Sequence, residues 1–326
     1  MTNGPIFSRW RSGMPNKDNT PARRSHPLSA LIDAIPLTAL IAILALWWLG
    51  WPGIANSDGE TPPLVPVKAS SAAQLERTFE RADYGWPTQQ VPPLTLQAFP
   101  ADLADVDADL RKSLFFRSVL PIVLAENERI RDQRQQLFQA LGEGLPAQRR
   151  INIISDLAEE YGVEGEPLEP ATWQALKKRV NTVPVALALA QAAKESGWGT
   201  SRFALEGNNL FGEWTWKARL GLVPEDRAEG ASHYVRVFDN LRHSVRSYLN
   251  NLNSHDAYGQ FRTLRAQAGD SGQAMSPELM TAGLENYSER GWAYVEDIRS
   301  MIQSERLTEV AAGAELTLDP SQVALR

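Results

Sequence analysis

The feature that most constrains this chain is an uncharged segment near its amino terminus. No charged residue occurs from Ala34 to Ser57, and most of the residues between them are apolar. A helix needs about 20 apolar residues to cross a bilayer, so residues 34–55 are long enough to span one. A buried core helix and a signal peptide cleaved near residues 55–57 are the alternatives. The long basic region before the segment favours an uncleaved transmembrane anchor over a signal peptide.

The charges around this segment predict its orientation. The five basic residues before it are Arg9, Arg11, Lys17, Arg23 and Arg24, and only Asp18 and Asp33 oppose them. By the positive-inside rule, residues 1–33 stay in the cytoplasm and the chain after the anchor is exported. The expected location is therefore the inner (cytoplasmic) membrane, with a single pass and the C-terminal part in the periplasm or cell envelope.

Composition excludes several classes of function. The chain has 33 basic and 39 acidic residues and a net charge of -6, whereas a nucleic-acid binder would carry a basic surplus. The absence of cysteine excludes disulfides, cysteine nucleophiles and thiolate metal sites. The four histidines have no metal-ligand spacing, so we expect neither a metal nor another cofactor.

The rest of the chain is predicted to be α+β and mostly helical. Prolines suggest a semi-extended spacer over 56–100, with a short helix at Ser71–Ala82. Apolar residues then recur every three or four positions through 101–181, which predicts a series of helices. A second part, 182–305, contains a predicted central helix that ends at Gly197, a strand at Ser232–Phe238 and a helix from Leu241, and residues 306–326 form a tail.

Glu195 is the leading candidate for chemistry. It lies in the last turn of the predicted helix that begins after Pro184, where the negative end of the helix dipole opposes a carboxylate. Burial would disfavour its ionisation as well, and both effects raise its pKa. A carboxylic acid with a raised pKa can protonate a leaving oxygen near neutral pH. On spacing alone, a surface glutamate at a frayed helix end remains an alternative.

Aromatic and amide side chains cluster after Glu195 and suit a carbohydrate ligand. Flat aromatic rings suit the faces of sugars, and an Asn amide suits hydroxyl and N-acetyl groups. Core packing is the alternative reading for each ring. The candidate binding residues are Trp198, Asn209, Phe211, Trp214 and Trp216.

These residues carry a resemblance. The segments AQAAKESGWGTSRFA and NNLFGEW are similar to the glucosaminidase domain of glycoside hydrolase family 73, and more closely to the Bax-type bacterial glucosaminidases. The similarity begins near Phe115 and ends near Ile298. It implies a lysozyme-like fold with a small β-lobe. It also implies hydrolysis of the β-1,4 bond after N-acetylglucosamine in peptidoglycan, whose glycan strands would be the partner.

The resemblance also assigns roles to residues. Glu195 matches the catalytic glutamate of the family, and Tyr287 matches a tyrosine that helps to position or activate the attacking group. The sequence YSERGWAY departs from the family motif in its spacing, so Tyr294 is a second candidate to face the substrate.

A second catalytic carboxylate is not evident from the sequence. Glycosidases usually use two, although the N-acetyl group of the substrate can substitute for one. We expect Glu229 to be the best candidate, because EGAS leads directly into the predicted strand. The other candidates are Glu213, Glu225, Asp226 and Asp239.

Three other functions fit parts of the pattern. A lytic transglycosylase shares the implied fold, but NLFG stands where its downstream G-L-M-Q signature would be. A non-catalytic peptidoglycan-binding or assembly module would keep the aromatic residues without needing Glu195. An endoglucosidase acting on protein-linked glycans is a further possibility, which the expected bacterial membrane anchor disfavours.

Overall fold

The computed structural model describes residues 64–224, 232–270 and 276–317. Within them, no helix has both the length and the apolar character to cross a membrane. The expected anchor at residues 34–55 lies outside the described residues, and so do residues 1–33, which were expected to be cytoplasmic.

The prediction of an α+β chain with mostly helical content is confirmed. The helices are α1 (Ala72–Arg81), α2 (Ala108–Leu141), α3 (Ala147–Glu160), α4 (Pro170–Arg179), α5 (Val185–Ser196), α6 (Arg202–Gly207), α7 (Leu241–Ser254), α8 (Gly259–Asp270), α9 (Pro277–Met280), α10 (Trp292–Ser304) and α11 (Leu307–Ala311). The 3₁₀ turns are Ala101–Ala104, Ala218–Leu220, Asp256–Tyr258 and Thr281–Tyr287.

The strands of the described residues are short and form three small sheets. They are β1 (Val65–Val67), β2 (Gln90–Val91), β3 (Leu94–Leu96), β4 (Trp214–Thr215), β5 (Gly221–Leu222), β6 (Tyr234–Arg236) and β7 (Glu315–Leu316). Strands β1 and β3 pair in parallel, and so do β2 and β7. The third sheet is antiparallel in the order β4-β6-β5, with Trp214 opposite Val235 and Gly221 opposite Arg236.

Helix α5 lies in the middle of the main core. Every residue from Ala186 to Ala193 is buried, including the single polar residue of that run, Gln191. Alanine side chains allow neighbouring helices to approach closely, and α5 packs against α2, α10 and α11. The C-terminal end of α5, which carries Glu195, is therefore held from several sides.

Helix α2 runs without a break from Ala108 to Leu141, although Pro121 lies inside it. A proline inside a helix removes one backbone hydrogen bond and clashes with the preceding turn. Residues on both sides of it, from Leu114 to Ala125, are buried in the core, and this burial keeps the helix continuous. Tertiary packing thus overrides the local preference.

Residues 64–100 differ from the expected spacer. The predicted short helix is present as α1, but Leu75 and Phe79 from it are buried in the main core. Beyond it, Trp86 stacks on Phe116 and Phe99 stacks on Phe115. The prolines here shape turns between buried apolar residues, so this segment is part of the globular domain. Only residues 56–63 of the expected spacer lie outside the described ranges.

A buried ion cluster joins α2 to α7. Glu126 is fully buried and accepts hydrogen bonds from Arg129, Arg242 and Arg246. Burial alone would raise the pKa of Glu126, but the three guanidinium groups outweigh it and hold that pKa below its usual value. Removing one partner of such a cluster would leave buried charge uncompensated.

Candidate active site

Glu195 lies where α5 ends and the chain turns sharply. Three consecutive residues after it have left-handed backbone, Gly197 (φ 57°), Trp198 (φ 61°) and Gly199 (φ 77°). A Cβ atom on Gly199 would lie 2.9 Å from the ring of Phe99. Glycine is therefore required at this position by both the backbone angle and the close approach. Strained backbone of this kind concentrates at functional sites.

The Trp198 ring anchors this turn to α2. It makes edge contacts with Phe115 and Phe116, at centroid distances of 5.9 and 5.3 Å, and the Lys112 ammonium lies 5.1 Å from its centroid. Aromatic packing of this kind is stabilising beyond the area it buries. Trp198 thus fixes the turn that follows Glu195 against α2. Contact of the Trp198 ring with substrate stays a prediction.

The environment of Glu195 favours its protonated form. Burial raises the pKa of its carboxyl group to about 7, although a hydrogen bond from Tyr294 and the charge of Lys194 lower it in part. The Tyr294 hydroxyl donates to Glu195 Oε1 at 2.8 Å. The Lys194 ammonium donates a hydrogen bond to Asp297 at 2.8 Å. Glu195 is therefore poised to release a proton near neutral pH.

The two tyrosines of YSERGWAY have different partners. Tyr294 donates to Glu195, whereas the Tyr287 hydroxyl donates to the Phe211 carbonyl oxygen at 3.0 Å. Their rings stack with centroids 5.3 Å apart. Tyr294 is thus the tyrosine that is hydrogen-bonded to the candidate acid, and the Tyr287 ring packs against the Tyr294 ring.

Asn209 and Phe211 lie inside the protein. The Asn209 amide bonds four backbone groups: it donates to Glu213 O and Arg236 O and accepts from Phe211 N and Glu213 N. The Phe211 ring stacks on Tyr248 with centroids 3.8 Å apart. Both side chains therefore hold the NLFG loop against the core, and their contact with substrate stays a prediction.

Two tryptophans lie on the three-stranded sheet. The Trp214 ring stacks on His233 with centroids 4.1 Å apart. Trp216 is 67% exposed, which leaves its ring accessible to a ligand. Of the five residues chosen from sequence for carbohydrate binding, Trp216 has the most exposed ring.

Among the candidate second acids, Glu213 has the most unusual surroundings. Burial raises its pKa to about 7, against a hydrogen bond from Ser247 at 2.7 Å and the charge of Arg236. Its Oε1 atom is buried and has no hydrogen-bond partner in the part of the chain described. Asp239, by contrast, has a 91% exposed side chain. Glu229, Glu225 and Asp226 lie outside the described residues.

The sequence reasoning missed two buried residues behind Glu195. Gln191 accepts a hydrogen bond from Tyr248 at 2.6 Å and donates one to Tyr294 at 2.9 Å. A polar residue inside the apolar run VALALAQAA was the available signal, because a buried amide requires partners. Tyr248 carried no signal of its own.

No group of three or more His, Asp or Glu side chains in ranges 64–224, 232–270 and 276–317 could hold a metal ion.

Comparison with known proteins gives this site a family. The sequence model of the Glucosaminidase family, described as mannosyl-glycoprotein endo-beta-N-acetylglucosaminidase, matches residues 170–307. Protein bax of Escherichia coli (strain K12) is 35% identical over 196 residues, which cover 59% of this chain and 69% of bax. The chain belongs to the Bax-type glucosaminidase family. No solved structure matches it significantly.

The match to the Glucosaminidase family model covers the chemistry described above. Residues 170–307 contain Gln191, Glu195, Tyr248 and Tyr294, so the whole hydrogen-bonded group lies within the family domain, and Glu213 lies within it too. The domain is of glycosidase type, which gives the site its reaction class. Helix α2 and residues 64–100 lie outside the matched range and support it through the shared core.

Proposed function

We propose that this protein is a membrane-anchored endo-β-N-acetylglucosaminidase that hydrolyses the β-1,4 bond after N-acetylglucosamine in peptidoglycan. Glu195 is its general acid. The observation that carries the proposal is the Glu195 carboxyl, which is partly buried at the end of a core helix, has a pKa of about 7 and accepts a hydrogen bond from Tyr294.

The chemistry follows from the protonation of Glu195. Near pH 7 a large fraction of the carboxyl groups carries a proton, which is the form that can protonate the glycosidic oxygen as the bond breaks. The resulting carboxylate is then stabilised by the Tyr294 hydroxyl, because a hydrogen bond to a charged acceptor is stronger than one to a neutral acceptor. Burial thus keeps Glu195 protonated before the bond breaks, and Tyr294 stabilises the carboxylate that remains afterwards.

The glycan strand would lie between the helical part and the three-stranded sheet, as in a lysozyme-like arrangement of two lobes. The exposed Trp216 ring supports this placement, since a flat aromatic surface suits the face of a sugar. Trp214 would extend that surface. Trp198, Asn209 and Phe211 would shape the site by holding the loops around it.

A second carboxylate would assist the attack of water. Glu213 is the better supported candidate, because its pKa of about 7 and its unpartnered Oε1 are unusual for a structural glutamate. Glu229 is the alternative. Substituting each by glutamine separates them: the catalytic one loses activity by about 100-fold or more, and the other changes it little. If neither variant loses activity, the N-acetyl group of the substrate takes this role.

The proposed location is the inner membrane, with residues 34–55 as a single anchor and the enzyme domain in the periplasm. The uncharged segment and its basic flank support this. The test is protease treatment of spheroplasts, followed by detection of tags at both ends of the chain. Protection of the C-terminal tag from protease, or its recovery as free soluble protein before protease is added, would contradict the proposed topology.

The reaction is tested with detergent-solubilised full-length protein on purified peptidoglycan. Wild type should release fragments with reducing N-acetylglucosamine ends, and Glu195→Gln should not. Glu206→Gln is the matched control, because Glu206 lies nearby on α6 with an exposed side chain. Anhydro sugar ends would instead indicate a lytic transglycosylase. Binding without any product from wild type would indicate a non-catalytic module.

A further inference from the structure

A chain of hydrogen bonds leads from the core to Glu195. It begins at Tyr248, whose hydroxyl donates to Gln191 Oε1 at 2.6 Å. The Gln191 amide nitrogen donates to the Tyr294 oxygen at 2.9 Å, and the Tyr294 hydroxyl donates to Glu195 Oε1 at 2.8 Å. Gln191 lies four residues before Glu195, so both side chains project from the same face of α5.

The direction of these bonds matters because a hydroxyl group has only one proton. Since an N–H of Gln191 points at the Tyr294 oxygen, the Tyr294 proton is directed away from Gln191 and toward Glu195. Tyr248 in turn fixes the orientation of the Gln191 amide, because its hydroxyl donates to the carbonyl end. An inverted amide would present its carbonyl oxygen to Tyr294 and compete with Glu195 for the proton.

Ring stacking holds both tyrosines in place. Tyr248 stacks on Phe211, Tyr294 stacks on Tyr287, and the Tyr287 hydroxyl bonds the Phe211 carbonyl. The contacts form a closed circuit that links the helix before ESGWG to the NLFG loop. These contacts therefore hold the ESGWG and NLFG motifs at a fixed distance from each other.

We infer that Gln191 and Tyr248 are positioning residues which, acting through Tyr294, fix the hydrogen bond to Glu195. The inference rests on the proposed function in taking Glu195 as the general acid. It assigns a function to the buried amide of α5, which would otherwise be an isolated polar group in an apolar helix.

The sign of the effect follows from the charges that face Glu195. Burial raises its pKa, while Tyr294 and Lys194 lower it in part. The other titratable groups that interact with the Glu195 charge are the buried Tyr248, Tyr258 and Tyr287. These three are neutral near pH 7, so they add no charge. Loosening the Tyr294 bond should therefore raise the pKa of Glu195 further and shift the alkaline limb of the activity profile to higher pH.

The test is Gln191→Met, which keeps the length of the side chain and removes both hydrogen-bonding groups. We expect the pKa of Glu195 to rise by roughly 0.5 to 1, because part of the stabilisation from a hydrogen bond to a charged group is lost. Two readouts measure it: the pH–rate profile, and ¹³C NMR titration of glutamate carboxyls in the full-length protein. Glu195→Gln identifies the relevant resonance.

A matched control exists in the same protein. Gln133 accepts a hydrogen bond from Tyr161 at 2.7 Å and donates one to Glu160 at 2.6 Å, which is the same chemistry in α2 and α3. Gln133→Met should alter stability without changing the pKa of Glu195. Tyr294→Phe should raise that pKa at least as much as Gln191→Met, and adding Gln191→Met to it should cause no further rise.

Three results would overturn the inference. The first is an unchanged pKa of Glu195 in folded Gln191→Met. The second is a shift that persists in full in the Tyr294→Phe background, which would mean that Gln191 acts through packing. If Gln191→Met does not fold, Tyr248→Phe replaces it, because this variant removes one hydroxyl and keeps the ring stack. The third result is then an unchanged pKa of Glu195 in Tyr248→Phe. Absence of glycosidase activity in wild type would refute the proposed function alone, since the NMR titration needs no substrate.

Discussion

Phe79→Ala should destabilise the enzyme domain strongly, although Phe79 lies far in sequence from the site and outside the family match. The Phe79 ring is 1% exposed. It makes an edge contact with Tyr84 at a centroid distance of 5.4 Å and lies 4.9 Å from the Arg117 guanidinium. An α1 that belonged to a free spacer would show neither this burial nor the contact with Arg117 of α2.

The expected magnitude follows from this burial. Truncating a buried phenylalanine to alanine costs about 3–5 kcal/mol, compared with about 5–15 kcal/mol for the whole stability of a typical domain. For a domain of this size the melting temperature should fall by roughly 10 °C. Arg77→Ala is the matched control, because Arg77 lies on the exposed face of the same helix, and it should change the melting temperature by less than about 2 °C.

The assay is thermal unfolding of the full-length protein in detergent, monitored by circular dichroism. A companion experiment expresses residues 101–326 alone, which should give an aggregated or non-cooperative product because Phe115 and Phe116 lose the rings stacked on them. Equal melting of Phe79→Ala and Arg77→Ala would refute the reasoning. So would a cooperative transition of residues 101–326 at the wild-type temperature.

Three further predictions concern the site. Glu195→Gln should lower the hydrolysis rate by about 100-fold or more while the protein stays folded, measured as reducing ends released from peptidoglycan. Because the folded-state pKa of Glu195 is raised to about 7, its ionisation costs stability as pH rises from about 4.5 to 7. Urea unfolding should therefore show Glu195→Gln gaining stability over wild type in that window, by on the order of 1 kcal/mol at pH 8, and an equal difference at pH 4 and pH 8 would contradict this. Tyr287→Phe should leave the pH–rate profile unchanged and cost about 1 kcal/mol of stability, because the hydrogen bond to Phe211 is lost. Tyr294→Phe should instead move the alkaline limb of the profile to higher pH. The reverse pattern in the two pH–rate profiles would show that the tyrosines are wrongly assigned.

Local sequence determined most of the helices and the place of the acid. Apolar periodicity predicted a series of helices over 101–181, the range that contains α3 and α4, and it placed the starts or ends of α5 and α7, because an amphipathic or buried face must repeat at the helical period. Gly197 marked the end of α5, since only glycine adopts left-handed backbone without strain. These features depend on residues that are neighbours in the chain, so they can be read without tertiary structure.

Local sequence was a poor guide where two readings share one composition. The prolines of 64–100 fit a spacer and turns between buried residues equally well. The structure shows the second, because Phe79 contacts Arg117 of α2, and Phe99 contacts Phe115 of α2 and the turn after α5. Pro121 likewise disfavours a helix locally, but burial on both sides keeps α2 continuous. In both places distant contacts decided between local alternatives.

For the site itself, the sequence determined the residue types and the structure determined their partners. ESGWG placed a carboxylate at a helix end, and that alone predicted a raised pKa, because both the dipole and burial disfavour ionisation. Only the tertiary structure decided that Tyr294 and not Tyr287 donates to Glu195, and that Phe211 packs on Tyr248 inside the protein. Those contacts join residues from α5, the NLFG loop, α7 and α10. A hydrogen bond depends on distances within a few tenths of an ångström between such elements, and sequence spacing carries no information at that scale.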